Sequence, residues 1–178
     1  MAEDARGLDI ITPAEAKTLD GLFAERVRRT PNAVGYREYD EAEGGWRDYT
    51  WRDMEREIAR WQHSLARDGV GPGDRVAVML RNCTTWVVYD QAAMGLGAVL
   101  VPLYTQDRPD NVAYIIQNCG ARILLFEKPE QWTAFAEVKD QLAALVREGR
   151  LDVDTEQAPF DAAMQQLRHR LDRAVGQD

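Results

Sequence analysis

The sequence has few cysteines, few histidines and no long apolar run, and each scarcity excludes a class of protein. Two cysteines and two histidines among 178 residues are too few for a disulfide framework. We interpret Cys83 and Cys119 as small apolar fillers rather than a disulfide or a metal pair. No stretch reaches the roughly 20 apolar residues that cross a bilayer, and the first residues lack the apolar core of a secretory signal. The sequence therefore predicts a soluble, cytoplasmic protein with no transmembrane segment and no metal site.

Positive charge is also scarce, because 22 Lys and Arg residues face 30 Asp and Glu residues and leave a net charge of −8. Nucleic-acid binding depends on clustered cations that replace counterions, so nucleic acid is excluded as a partner. We interpret Arg26, Arg28 and Arg29 as the solvated end of a helix, where cations meet the negative end of the helix dipole.

The glycine motifs of phosphate-binding loops are lacking as well. No G-x-x-x-x-G-K-[ST] segment occurs. The glycines of GVGPGD precede a strand instead of joining a strand to a helix, which is the wrong order for a dinucleotide fingerprint. Neither signature of a nucleotide site is therefore present.

The run from Gly73 to Pro102 predicts a strand, a helix and a second strand. Residues 76–80 read VAVML with no polar alternation, which is typical of a strand buried on both faces of a parallel sheet. Asn82 is predicted to cap the helix through its side-chain oxygen. A second continuous apolar run follows at residues 98–101, and Pro102 stops it because proline has no N–H for a ladder.

Caps, turns and apolar spacing predict the flanking elements. Before the central run we predict a helix capped by Thr18 and closed by Pro31, and then a hairpin with strands at 33–39 and 46–49. A second helix begins at a Thr50–Asp53 capping box and has Met54, Ile58, Trp61 and Leu65 on its buried side. After the central run we predict a helix from Pro109 to Gly120, a strand at 123–126 and a helix from Pro129 to Gly149.

These elements predict an α/β fold. We expect an open, mainly parallel, flavodoxin-like sheet with helices on both faces, preceded by a short β-hairpin and followed by an amphipathic helix. Residues 1–17 are predicted to form a loose polar arm, residues 18–149 the α/β subdomain, and residues 150–178 an acidic turn and an amphipathic tail helix. The apolar stripe of that tail either packs onto the subdomain's own sheet or forms a subunit contact; it comprises Phe160, Met164, Leu167, Leu171 and Val175.

Ligands of open α/β sheets usually lie outside the carboxyl ends of the strands. Tyr104 and Thr105, which follow a proline-terminated strand, are predicted to edge a substrate cleft. The alternative is that both are turn and packing residues, since position in a fold does not establish function. No catalytic, cofactor-binding or metal-binding residue is predicted. The residues expected at the three strand ends are Arg81 and Asn82, Tyr104 and Thr105, and Glu127 and Lys128.

Three segments in a fixed order resemble the opening of AMP-forming adenylating enzymes, and are most similar to long-chain fatty acyl-CoA synthetases. They are YTWRDM from Tyr49, the turn GVGPGD leading into RVAV, and GLGAVLVPLY from Gly95 to Tyr104. The resemblance covers residues 18–147. It implies a two-step reaction, in which a carboxylate and MgATP form an acyl adenylate and pyrophosphate before coenzyme A takes the acyl group.

The resemblance also implies loops that this sequence lacks, since no TSGTTG segment followed by PKG occurs. ATP, Mg and coenzyme A are therefore implied for a full-length family member, as is fatty acid for a complete enzyme, and we expect the chain alone to be inactive. A fragment and a separately evolved short protein both fit. The alternative hypothesis is a non-catalytic interaction protein that pairs with itself or with a full-length synthetase through the helix at residues 159–175.

Overall fold

The computed structural model describes residues 9–127, 129–138 and 140–142. The chain divides into two compact units between Ala59 and Arg60. The predicted acidic turn and tail helix at residues 150–178 lie outside the described residues, as does the predicted helix end at Gly149. The domain boundaries proposed from the sequence therefore stay predictions.

The first unit contains two short helices, a hairpin and the start of a longer helix. The elements are α1 (Pro13–Ala16), α2 (Leu19–Arg29), β1 (Val34–Asp40), β2 (Gly45–Thr50) and α3 (Trp51–Arg67), which continues into the second unit. The predicted hairpin is confirmed: β1 and β2 pair antiparallel, with Tyr39 opposite Trp46. Gly44 in the connecting turn has φ +66°, a conformation that glycine adopts without strain.

The prediction of a loose arm over residues 1–17 is wrong at α1. Thr12 and Glu15 form a capping box: the Thr12 N–H donates to Glu15 Oε2 at 2.8 Å, and the Glu15 N–H donates to Thr12 Oγ1 at 3.4 Å. A helix of a single turn is too short to produce apolar periodicity, so the sequence pattern does not reveal it. The predicted cap of α2 is confirmed, since Thr18 Oγ1 accepts from the Gly21 N–H at 3.2 Å.

The interpretation of the arginine cluster as a solvated helix end is wrong for Arg29. Its side chain is only 5% exposed and donates to three carboxylates: Asp9 at 2.6 Å, Glu15 at 2.5 Å and Glu25 at 2.7 Å. The Arg28 side chain is 70% exposed and agrees with the predicted solvated helix end. The sequence shows a basic helix end, but the acids that cover Arg29 come partly from 14 and 20 residues earlier in the chain.

The beginning of α3 organises the first unit around Trp51. The Trp51 ring meets Phe23 and Tyr36 edge-on, with ring centroids 5.6 and 5.5 Å apart. The predicted Thr50–Asp53 capping box is confirmed by reciprocal bonds of 3.0 and 3.1 Å between each backbone N–H and the other side chain. The predicted buried stripe of α3 is also confirmed: Met54, Ile58, Trp61 and Leu65 are all buried.

The second unit is a parallel three-stranded sheet with helices between the strands, and it confirms the predicted fold class. Its elements after α3 are β3 (Arg75–Met79), α4 (Thr84–Gly95), β4 (Val99–Pro102), α5 (Pro109–Cys119), β5 (Ile123–Phe126), α6 (Pro129–Ala134) and a 3-10 turn (Ala136–Val138). The strand order is β4-β3-β5, with both pairings parallel.

Strand β3 is the centre of this sheet and is covered on both faces, as its apolar run predicted. Val76, Ala77 and Val78 have no exposed surface. The connection from β3 to β4 and the connection from β4 to β5 run in opposite directions along the sheet. Because such connections are right-handed, α4 and α5 lie on opposite faces of the sheet. The α5 face holds a core cluster that includes Ala77, Val112, Ile116, Leu124, Phe135 and Leu142.

Three local predictions are corrected in this unit. Asn82 does not cap α4; Cys83 holds the cap position and makes no side-chain cap bond. The second strand is not buried throughout, because β4 lies at the edge of the sheet and leaves Val99 51% exposed. The single helix expected from Pro129 instead ends at Ala134 and is followed by the 3-10 turn. Phe135, Val138 and Leu142 are buried, and their spacing fits both one continuous helix and a helix followed by a 3-10 turn.

Candidate functional site

The carboxyl edge of the parallel sheet is the candidate site. Because β3, β4 and β5 run in the same direction, the segments that follow Met79, Pro102 and Phe126 all leave from one edge. Loops at this edge commonly carry binding residues, since the rigid strands position them while leaving their side chains in solvent.

An ion pair joins the ends of two of these strands. Arg81 Nε, after β3, donates to Glu127 Oε1, after β5, at 3.0 Å across 46 residues of sequence. The Arg81 side chain is 58% exposed and that of Glu127 is 26% exposed. An ion pair with this exposure contributes little stability, so it marks where the two strand ends meet.

Gln131 of α6 reinforces the same junction. Its side-chain oxygen accepts from the Glu127 N–H at 2.8 Å, and its side-chain nitrogen lies 3.5 Å from the Met79 carbonyl oxygen. One amide side chain therefore contacts the ends of both β5 and β3. The sequence alone did not identify Gln131, because its role depends on β5 lying next to β3.

Tyr104 and Thr105, the predicted cleft residues, follow the edge strand β4. The Tyr104 side chain is 83% exposed, whereas Thr105 is half-buried. The Tyr104 carbonyl accepts from the Asp107 N–H at 3.1 Å and so begins a turn. The sheet order places these two residues on the other side of β3 from Glu127, so the structure brings Arg81 and Glu127 together rather than all three strand ends.

The topology marks the junction of β3 and β5 as the place where a crevice would form. The connection after β3 leads to α4 on one face, and the connection after β5 leads to Phe135 and Val138 in the cluster on the α5 face. Crevices of open α/β sheets lie where the strand order reverses, and here the chain passes from β4 back across β3 to β5. Here Arg81, Glu127 and Gln131 occupy that position.

The opposite, amino edge is held by two arginines. Arg75 Nε donates to the Cys119 carbonyl at 2.6 Å, and Arg75 Nη2 donates to that of Gly120 at 3.2 Å. Arg122 Nη1 contacts the Gly69 carbonyl and pairs with Asp74 Oδ2 at 2.7 Å. These bonds fasten the C-terminus of α5 and the turn before β3, which makes this edge a structural one.

The contact with Arg122 and a second bond from Gly71 also set the ionisation of Asp74. The Gly71 N–H donates to Asp74 Oδ2 at 2.8 Å, and with Arg122 it holds the pKa of Asp74 below its ordinary value. Asp74 therefore stays charged to lower pH than a solvated aspartate.

Polar groups inside α4 lie in a poorly solvated environment. The Tyr89 hydroxyl and Gln91 Oε1 are buried without a hydrogen-bond partner in the described part of the chain. The Tyr89 ring packs edge-on against Trp61 with centroids 5.4 Å apart, and burial raises the pKa of its hydroxyl. Burial also raises the pKa of the Asp90 carboxyl.

Metal-binding side chains are scattered in the part of the chain that the structure describes. Across residues 9–127, 129–138 and 140–142, no group of three His, Cys, Asp or Glu side chains could hold a metal ion. Neither Cys83 nor Cys119 forms a disulfide, and each is half-buried. No residue is therefore assigned to ATP or Mg. No helix in these ranges is long and apolar enough to cross a membrane.

The fold and its carboxyl edge define an open, parallel α/β protein. Residues 23–174 match the family described as AMP-binding enzyme. The chain belongs to this family of adenylate-forming enzymes.

Individual relatives agree on the family and differ in substrate. The chain is 28% identical over 134 residues to a long-chain-fatty-acid–CoA ligase of Mycobacterium bovis, covering 75% of this chain and 22% of that protein. It is also 28% identical over 114 residues to gramicidin S synthase 2 of Brevibacillus brevis, covering 63% of this chain and 2% of that one. The chain thus spans less than a quarter of the length of either relative.

A solved structure supports the same fold. The fatty acyl CoA synthetase of Mycobacterium tuberculosis superposes with a TM-score of 0.61 at 23% identity, covering 85% of this chain and 28% of that one. At this identity the likeness concerns the fold alone.

Proposed function

We propose that this chain is the N-terminal part of a long-chain fatty acid–CoA ligase, and that it is inactive alone. The match over 134 residues to a long-chain-fatty-acid–CoA ligase, which includes the ordered motifs from Tyr49 to Tyr104, is the observation that carries the proposal. We also propose a cytoplasmic location.

The proposed reaction has two group transfers. A fatty acid carboxylate oxygen attacks the α-phosphorus of ATP, and pyrophosphate leaves with the electron pair of the broken P–O bond. The thiol sulfur of coenzyme A then attacks the acyl carbon, loses its proton, and AMP leaves. In this proposal the chain supplies scaffold, because it lacks the TSGTTG and PKG segments of the family, and the groups that stabilise the phosphates belong to the rest of such an enzyme.

Tyr104 and Thr105 are proposed to edge the acyl cleft of the complete enzyme. The support is positional. Both residues follow a strand at the carboxyl edge of the sheet, and Tyr104 exposes 83% of its surface, so its ring is available for contact with a ligand. The alternative role in turn formation is supported by the Tyr104 carbonyl bond to Asp107.

A second candidate is the adenylation part of a nonribosomal peptide synthetase, which the match to gramicidin S synthase 2 favours. A third is the non-catalytic protein that pairs with itself or with a full-length synthetase through residues 159–175. The first two share adenylate chemistry and differ in the carboxylate that they activate.

Pyrophosphate exchange into ATP tests these candidates. The purified chain is assayed alone and together with the part of the Mycobacterium tuberculosis synthetase that follows its region of similarity. We expect no exchange from either polypeptide alone and palmitate-dependent exchange from the mixture. Exchange with amino acids but not palmitate would favour the peptide-synthetase candidate. Exchange by the chain alone would contradict the proposal, and a mixture that remains inactive while the two polypeptides bind would favour the non-catalytic candidate.

A further inference from the structure

Helix α3 buries one side and carries its positive side chains on the other. At about 100° per residue, the arginines and the histidine of this helix fall within an arc of about 80°, on the side opposite the buried Met54 and Trp61. We call this set the basic stripe; its members are Arg52, Arg56, Arg60, His63 and Arg67. The stripe belongs to one continuous helix in a chain whose net charge is −8.

Solvent reaches most of the basic stripe. Arg60 is half-buried, and the other four members are exposed. Arg56 donates to Asp53 of the same helix. Arg52 and Arg67 form no ion pair with any residue that the structure describes. At these two positions the described fold leaves the positive charge without a compensating carboxylate.

The arrangement of charge along the stripe opposes helix stability. Arg52 and Arg56 are four residues apart, as are Arg56 and Arg60, and like charges at this spacing repel. After Glu57 the helix contains no acid that could relieve the repulsion, although the chain has more acids than bases. Local rules that a sequence breaks in this way are expected at functional positions.

The basic stripe is narrow, which restricts what can bind it. On the helix surface Glu55 lies to one side of it, and Asp53 and Glu57 lie to the other. A flat anionic bilayer would meet these carboxylates together with the arginines. The apolar side of α3 is buried in the fold, so the helix cannot insert into lipid as interfacial helices do. The net negative charge also opposes binding to a bilayer or to nucleic acid.

The length and spacing of the stripe match a second helix. Arg52 and Arg67 are separated by about 22 Å along the helix axis, and successive members are about one turn apart. Carboxylates at every third or fourth residue of a facing helix have the same spacing, as in the charge pairs that flank coiled coils. Arginine is suited to this contact because its guanidinium can bind a carboxylate through two N–H groups.

We propose that the basic stripe of α3 is a docking surface for an acidic helix of a partner protein. The carboxylates of that helix face the arginines, and the acids beside the stripe keep broader anionic surfaces away. A second copy of this chain fits less well, because a net charge of −8 on each copy opposes self-association. The inference goes beyond the proposed function and does not depend on which carboxylate the enzyme activates.

Titration of the full chain with helical peptides tests the docking surface. The probe is an alanine-rich peptide of about 20 residues, held helical by a hydrocarbon staple and carrying Glu at every fourth position of one face. The matched control peptide carries Gln at those positions. Fluorescence anisotropy should show binding of the Glu peptide that is about tenfold tighter or more, and that weakens as salt is added. NMR shift changes in the labelled chain should map to residues 52–67.

Matched double variants locate the binding. Arg52→Gln with Arg67→Gln removes two charges from the stripe, whereas Arg28→Gln with Arg108→Gln removes two exposed charges elsewhere. Affinity for the Glu peptide should fall about fivefold or more in the first pair and by less than about twofold in the second. Arg52→Lys with Arg67→Lys keeps both charges and should retain most of the affinity, which separates loss of charge from a folding defect.

The inference is overturned if the Glu peptide does not bind, if the two peptides bind equally, or if the two Gln double variants lose affinity equally. Shift changes confined to residues outside 52–67 would also overturn it. Tighter binding of phosphatidylglycerol vesicles or of a DNA duplex than of the Glu peptide would do the same, since an acidic helix would then not be the preferred ligand. Pyrophosphate exchange enters none of these outcomes, so failure of the docking surface and failure of the proposed function are distinguishable.

Discussion

Arg122 and Asp74 form an ion pair of 2.7 Å between residues 48 positions apart, and the same Arg122 nitrogen contacts the Gly69 carbonyl. The side chains are 30% and 26% exposed, so the pair is partly shielded from solvent. The contacts join the residue before β5 to the turn before β3. The amino edge of the sheet therefore depends on a guanidinium that no local pattern identifies.

Replacement of Arg122 should destabilise the chain. Arg122→Met removes the donor to Asp74 and Gly69, and loss of charge-assisted bonds to partly buried acceptors costs on the order of 1–3 kcal/mol. Arg122→Lys keeps the charge and should recover part of the loss. Urea unfolding monitored by circular dichroism measures both, and a Met variant as stable as wild type would show that the pair contributes nothing.

The acids around Arg29 should make stability sensitive to low pH. Hydrogen bonds from Thr12 and from Arg29 lower the pKa of Glu15 to about 2, and bonds from Arg28 and Arg29 lower that of Glu25 to about 2. Because both folded-state pKa values lie below the ordinary value of 4.5, their contribution is fully present above about pH 4.5. It is lost as the pH falls towards 2.

Arg29→Met isolates this contribution. The variant should have a lower urea midpoint at pH 7, and its difference from wild type should shrink between pH 4.5 and pH 2 as Glu15 and Glu25 protonate. Arg28→Met is the comparison, since that side chain is 70% exposed and, in the described part of the chain, bonds Glu25 but neither Asp9 nor Glu15, so its pH-dependent loss should be the smaller one. A difference between wild type and Arg29→Met that is independent of pH would contradict the role of these carboxylates.

Two glycines with equally close neighbours should respond differently to alanine. A Cβ on Gly21 would lie 2.0 Å from the Ala16 carbonyl oxygen, which belongs to the backbone. A Cβ on Gly95 would lie 2.0 Å from the Gln62 side-chain nitrogen, which can rotate away. Gly21→Ala should therefore cost about 1–3 kcal/mol despite the better helix propensity of alanine, and Gly95→Ala less than about 1 kcal/mol. Thermal melts of the two variants test the contrast, which fails if Gly95→Ala is the more damaging.

The buried hydroxyl of Tyr89 should be dispensable. It has no hydrogen-bond partner in the described part of the chain, so Tyr89→Phe removes a desolvated polar atom and keeps the ring against Trp61. We expect stability equal to wild type or higher by up to about 1–3 kcal/mol. Tyr89→Ala is the control for packing and should lose about 3–5 kcal/mol. A clear loss in Tyr89→Phe, measured by urea unfolding, would indicate an unseen partner such as a bound water.

Several elements were predictable because their cause is local. Thr18, Thr50 with Asp53, and Pro109 with Gly120 mark helix ends through side-chain caps or backbone preferences that act within a few residues. The unbroken apolar run of β3 predicted burial on both faces, which only a covered parallel sheet provides. The ordered motifs from Tyr49 to Tyr104 were enough to indicate the family.

The candidate site was only half predictable. The strand ends at Arg81, Tyr104 and Glu127 follow from the apolar runs, but which of them meet does not. The order β4-β3-β5 separates Tyr104 from Glu127 and joins Glu127 to Arg81 and Gln131.

By itself the sequence determined most of the elements, the parallel sheet and the family, because caps, turn residues and apolar periodicity act over a few neighbouring positions. Only the tertiary structure decided the strand order and the burial of Arg29. Each of these depends on contacts between residues tens of positions apart, and such contacts exist only once the chain has closed its long loops and packed its core.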